Sequence, residues 1–204
     1  MFKNYSIYIG FSLVIILFSC TNASTSEVPI KHQMNISIDG MFDAKEWKHS
    51  RIIDVAQKNT MHLIQNEDYL FLGIKNTESV ARYVDLYIEN DSIGTINFHS
   101  SMQLSERSLG DVWNDTIPKW NWGNNSNWTA NKVKTISNDE TVPFIETVAR
   151  YDGFEFKIAK SKLKSSTSKI RLEIKDFIGE EKGIIFPIDS QRFDTKNWFH
   201  LELY

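Results

Sequence analysis

The chain has one cysteine, Cys20, among its 204 residues, so it can form no internal disulfide and must draw its stability from a hydrophobic core. A chain of this length buries enough apolar surface for that. Nor is there a surplus of cations: 23 Lys and Arg stand against 26 Asp and Glu, a formal net charge of −3. Nucleic-acid binding requires clustered Lys and Arg to neutralise phosphates, so the balance argues against that class. Apolar runs are short. The longest, Ile7 to Phe18, broken only by Gly10 and Ser12, falls below the roughly 20 residues that a spanning helix needs. There is no internal repeat, nucleophile elbow, zinc-protease helix or phosphate loop. His32, His49, His62, His99 and His200 are scattered, with no pair at ligand spacing, so neither metal nor other cofactor is expected.

What is present begins with an N-terminal segment, residues 1–19, whose single charge is Lys3 and whose apolar run ends in Leu17-Phe18-Ser19-Cys20. This reads as a signal peptide. Leu at minus three, a small residue at minus one and Cys at plus one resemble the bacterial lipoprotein box, which implies cleavage before Cys20 and lipid on its thiol. Each buried acyl methylene contributes about 0.8 kcal/mol, so several chains anchor a protein without help from its surface. No acidic run follows Cys20, which favours an outer-membrane protein of the cell envelope facing the periplasm. Residues 20–35 read as the lipidated Cys and a polar tether. Residues 36–204 read as one folded domain.

The domain opens with Ile38-Asp39-Gly40-Met41-Phe42-Asp43-Ala44-Lys45-Glu46-Trp47. Ile36 and Ile38 alternate into Asp39-Gly40, a turn in which Gly takes positive φ without penalty. Asp43 and Glu46 have capping-box spacing, and Phe42 can staple onto Trp47, so one helical turn is expected to fold Trp47 down as a lid. Short strands follow at even spacing: 51–56, 60–65, 69–75, 83–89 and 95–99, then 132–136, 143–151, 154–158, 169–177, 184–187 and 198–204. In Tyr83 to Glu89, Val84, Leu86 and Ile88 share a core face, and Tyr83, Asp85, Tyr87 and Glu89 share a wet one. Residues 100–110 read as a loop, Asp152-Gly153 as a hairpin turn and Ala159 to Leu163 as a turn of helix. The fold class is all-β, an antiparallel β-sandwich with short helical turns.

Ile38-Asp39-Gly40 with Glu46-Trp47, the run Tyr69 to Ile74, the segment Gly153 to Ile158 leading to Leu163, and Trp198 to Leu203 together resemble carbohydrate-binding module family 9 and the wider DOMON-like sandwiches. The resemblance implies a β-sandwich, a non-catalytic role and, in some members, sugar held between tryptophans. Other members of the wider group bind haem or have no known ligand. Phe98-His99-Ser100-Ser101 matches no family ligand position.

Four of the six tryptophans, Trp113, Trp120, Trp122 and Trp128, fall within residues 113–128, mixed with Asn114, Asp115, Asn121, Asn124, Asn125 and Asn127. Indole faces suit the C–H faces of a pyranose, and carboxamides and carboxylates suit its hydroxyls. If Trp120-Asn121-Trp122 is extended, both indoles point to one side. The opposing reading is that these side chains plug the end of the sandwich. The candidate ligand-binding set is Trp120, Trp122, Trp113, Trp128, Asn121, Asn124 and Asp115, with carbohydrate or envelope glycan as partner and the membrane reached through the lipid. An envelope structural or protein-interaction role for the Trp-rich loop is the alternative. Asp111, Asp115, Asp139 and Glu140 lie near the loop, but nothing in their spacing distinguishes a glycosidase pair from solvated charges, so no enzyme is expected.

Overall fold

The computed structural model describes residues 26–32, 34–56, 58–75, 83–110, 119–123, 125–133, 152–175 and 183–204. Among them run β1 (Ser26–Glu27), β2 (Arg51–Ala56), β3 (Asn59–Gln65), β4 (Tyr69–Lys75), β5 (Tyr83–Asn90), β6 (Gly94–Ser100) and β7 (Leu104–Gly110). After these come β8 (Asn121–Trp122), β9 (Trp128–Ala130), β10 (Gly153–Ala159), α1 (Lys160–Leu163), β11 (Thr167–Lys175), β12 (Ile184–Phe186) and β13 (Phe199–Glu202). The strands form two sheets, one ordered β2-β3-β4-β10-β9 and the other β1-β13-β11-β5-β6-β7-β8 with β12 beside β11. The protein is an all-β sandwich.

Period-2 alternation explains the core. Met61, Leu63, Leu70, Leu72, Ile74, Phe154, Phe156 and Ile158 from one sheet meet Val84, Leu86, Ile88, Phe98, Ile170, Leu172 and Ile174 from the other, all buried. Each such side chain contributes about 1.5–3 kcal/mol on burial, which carries the fold without a disulfide.

Both outer faces are also covered, each by an irregular segment. Over the five-stranded sheet lies the stretch 34–47, whose Ile36 and Trp47 pack with Ile64 and Phe71. Asp39 Oδ1 accepts from Met41 N at 2.8 Å and Gly40 has φ 85°, so the expected Asp-Gly turn is present. Trp47 is buried, stacked on Phe42 with centroids 5.2 Å apart. The lid is present, but the capping box is not. Asp43 Oδ1 accepts from Lys45 N, while Glu46 reaches back to Ser37. Beneath the lid a cross-strand row runs His62–Gly73–Glu155. A Cβ at Gly73 would sit 2.6 Å from Phe42 and 2.8 Å from Trp47, so only glycine leaves room for both rings. Fully buried Glu155 accepts from Asp39 N at 3.0 Å, Gly40 N at 2.8 Å and Trp47 Nε1 at 3.0 Å. Burial nonetheless pushes its carboxyl up to about 7, against the pull of those three donors. His62, bonded to Ser50 and Thr60, is lowered to about 4 by burial and by Lys75.

Several sequence expectations need correction. The wet face of β5 is not wet: Asp85 and Tyr87 are buried. Residues 187–198 fold over that end of the sheet, packing Trp198 against Tyr87 and Leu109. Residues 104–110, expected as loop, form β7, paired along its length with β6. Residues 26–31, expected as tether, are built into the fold. Ser26 and Glu27 pair in parallel with β13, Val28 is in the core, and buried Gln65 clips the segment after β1 to the end of the last strand by donating to Val28 O and accepting from Tyr204 N. Most of the expected strands 132–136 and 143–151 lies outside the described residues.

Candidate functional site

The outer face of the larger sheet carries the chemistry. Alternation on β5, β6 and β7 puts Val84, Leu86, Ile96, Phe98 and Leu104 inward, so their neighbours face out in register. One cross-strand row reads Glu173–Asp85–His99–Ser105–Trp122, and the next reads Arg171–Tyr87–Asn97–Arg107. The sandwich therefore aligns side chains from five strands into a polar floor ending at an aromatic edge.

At that edge β8 pairs with β7, and Trp122 on β8 and Trp120 just before it lie to one side, as the extended reading requires. Their centroids are 5.9 Å apart and their planes 43° apart. Both rings meet His99, at 5.2 and 5.7 Å. The two indoles differ in role. Arg107 lies over the Trp120 ring with Cζ 4.0 Å from its centroid, a cation–π contact that occupies one face and holds the ring in place. Trp122 is 51% exposed and offers a flat apolar surface to solvent.

His99 is held from below by Asp85, whose Oδ1 lies 2.7 Å from Nδ1, and from the side by Tyr83 at 5.4 Å between centroids. Asp85, His99 and Ser105 are the residue types of a nucleophilic triad in one row. However, Ser105 Oγ is buried and makes no hydrogen bond to His99, so this geometry presents no poised nucleophile. Further along the floor, Glu173 receives hydrogen bonds from Arg171 and Arg192. Burial works against its charged form, but those arginines outweigh it and hold the carboxyl at about 2. Among the described residues no group of three or more His, Cys, Asp or Glu side chains is placed to hold a metal ion.

Of the seven ligand-binding candidates, the structure brings Trp120, Asn121 and Trp122 to this edge, where Asn121 is exposed but pairs with Glu106 and so lies on the side of the strand opposite the indoles. Trp128 is elsewhere. It is 5% exposed on β9, edge-on to Phe98 at 4.9 Å and stacked with Phe156 at 6.4 Å, so it fills the core and presents no face to a sugar. Trp113, Asp115, Asn124 and the lipid-attachment candidate Cys20 lie outside the described residues. Sequence reading missed His99, Asp85, Asn97 and Arg107 as site residues. Their signal was present as polar residues alternating with core positions on strands that flank the Trp segment. Comparison with known proteins returns no match to any family model, curated protein or solved structure.

Proposed function

We propose that this chain is a lipid-anchored, non-catalytic carbohydrate-binding lipoprotein of the bacterial cell envelope, related to the family 9 carbohydrate-binding modules and DOMON-like sandwiches. The observation that carries the reading is the half-exposed Trp122 indole beside Trp120 and the Asp85–His99 pair. A sugar ring stacked on Trp122 would meet Trp120 as a side wall, with His99 within reach of hydroxyls. The arrangement is fixed before a ligand arrives, which limits the ordering cost of binding.

Trp122→Ala is expected to abolish retention on envelope polysaccharide while moving the thermal midpoint by no more than about 2 °C, since a half-exposed edge residue carries little of the core. Normal retention by a folded Trp122→Ala protein would refute the site. For the anchor, Cys20→Ala is expected to release the protein from the membrane fraction, and its persistence there would refute lipidation at that thiol. A protein-interaction role is the second reading, favoured by Ile188 and Phe193, which stand exposed on the segment covering the same sheet. Under that reading the polysaccharide is not retained even by the unaltered chain.

A further inference from the structure

Ser26, where β1 begins, follows Cys20 by six positions. An extended chain advances about 3.3–3.6 Å per residue, so lipid on Cys20 would hold β1 within roughly 20 Å of a bilayer. The place of β1 in the sheet turns that tie into an orientation. β1 stands at one end of the order β1-β13-β11-β5-β6-β7-β8, and β8, which carries Trp122, stands at the other. Neighbouring strands lie about 4.8 Å apart, so the six spacings between them put the Trp122 edge about 29 Å across the sheet from β1.

The side chains around β1 suit contact with lipid. Ile30 pairs with Gln65 on β3, and Gln65 accepts from Tyr204 N. Arg51, opposite Leu63 on the same edge of β3, donates to Glu27 O at 3.3 Å. Glu27, Val28, Pro29, Ile30, Arg51 and Tyr204 thereby line one concavity of about 650 Å³. Ile30 and Tyr204 are exposed at it, and Ile52, next to Arg51 on β2, is 61% exposed. Tyrosine favours the headgroup level of a membrane, and arginine lays its stem on apolar surface while its guanidinium stays in water. Glu27, whose charge anionic lipid would repel, accepts from Tyr204 Oη at 3.0 Å. Two isoleucines and a tyrosine are too few to hold a protein on a membrane unaided, so this surface orients a chain that the lipid retains.

We propose that the β1 edge, with Ile30, Arg51, Ile52 and Tyr204, is the face that docks on the bilayer, so that the Trp120–Trp122 edge is turned away from the membrane that holds the anchor. This docking face rests on the lipid-anchor reading and adds the direction in which the candidate site points. A competing apolar pair, Ile188 and Phe193, stands exposed on the segment over the larger sheet. Docking through that pair would lay the outer face of the sheet against lipid instead. The short reach between Cys20 and β1 favours the β1 edge.

The test places the full chain, purified from the membrane fraction, in vesicles of phosphatidylethanolamine and phosphatidylglycerol with one introduced thiol at a time: Ile30→Cys, Ile52→Cys, Phe193→Cys or Asn121→Cys. Each thiol carries an environment-sensitive fluorophore. Cys20 is the chain's single native cysteine and lipid blocks it, so each chain takes one label. Labels at residues 30 and 52 are expected to shift to the blue and to be quenched by nitroxide-bearing acyl chains. Labels at residues 193 and 121 are expected to keep their wavelength and brightness. Quenching at residue 193 or 121 as strong as at 30 and 52 would overturn the docking face and leave the anchor intact, as would a chain quenched at none of the four. Two labels per chain would show that Cys20 carries no lipid, overturning the anchor reading and the docking face together.

Discussion

Glu155→Ala is expected to destabilise the protein by about 3–5 kcal/mol, even though residue 155 lies on the sheet face away from the core. The reason is the number of donors that converge on one buried carboxylate. Asp39 N, Gly40 N and Trp47 Nε1 all donate to it, and together they pin the stretch 34–47 across the smaller sheet. Each hydrogen bond contributes roughly 0.5–1.5 kcal/mol, the contributions are not additive, and each donor left buried without a partner costs a further ~1–3 kcal/mol. Removing the carboxylate also loosens Phe42 and Trp47 over Gly73, exposing His62 and Phe71. Chemical denaturation of the variant would show it. A loss under about 1 kcal/mol would mean that the lid is held by ring packing alone. The carboxyl also sets a pH trend. With its folded pKa raised to about 7 from an ordinary 4.5, the folded state binds the proton more tightly. This contribution is therefore fully present below about 4.5 and is lost as pH rises through about 7.

Glu173→Gln is expected to cost a comparable 3–5 kcal/mol at neutral pH, because it leaves the buried Arg171 and the half-buried Arg192 without their shared anion. The sign of its pH dependence is opposite. Glu173 has a folded pKa near 2 against an ordinary 4.5, so the stability it supplies is present above 4.5 and fades as pH falls toward 2. The difference between the unaltered protein and Glu173→Gln should accordingly shrink on acidification through that window. A difference constant from pH 7 to 2 would contradict the ion cluster. His62, lowered to about 4 from 6.5, adds a loss of stability as pH falls between those values. Between pH 7 and 4.5 His62 and Glu155 therefore act against each other, and below 4.5 Glu173 adds to the loss that His62 has begun.

Much of the fold could be read from the chain, and the failures share a cause. The apolar run Tyr69–Lys75 and the alternating Tyr83–Asn90 have the predicted positions within a residue, because a run rich in β-formers bounded by turn residues, or apolar at every second position, marks a strand's extent. β7 escaped because Leu-Ser-Glu-Arg-Ser-Leu-Gly has only two apolar residues and is held by its ladder to β6. β1 escaped similarly: two residues paired through backbone groups need no pattern. The outer face of β5 misled because polar side chains usually signal solvent. Here Asp85 and Tyr87 are covered: Asp85 by His99 from the next strand and Tyr87 by Trp198 from a segment far along the chain, neither of which local spacing reveals. The site was half legible. Clustered Trp and Asn pointed to Trp120 and Trp122, but the same clustering swept in Trp128, whose place on β9 opposite Ile158 puts it in the core. Asp85, His99 and Arg107 belong to the candidate site by cross-strand register alone.

Glycan recognition at the Trp122 edge is tested most directly by intrinsic tryptophan fluorescence of the full chain titrated with soluble oligosaccharides and peptidoglycan fragments, run in parallel with Trp122→Ala. A saturable shift in the unaltered protein, absent from the variant, is the predicted result, since among the described residues Trp122 is the indole most open to a sugar face. A shift of equal size in Trp122→Ala, or no response to any sugar from a cooperatively folded protein, would contradict recognition at this edge.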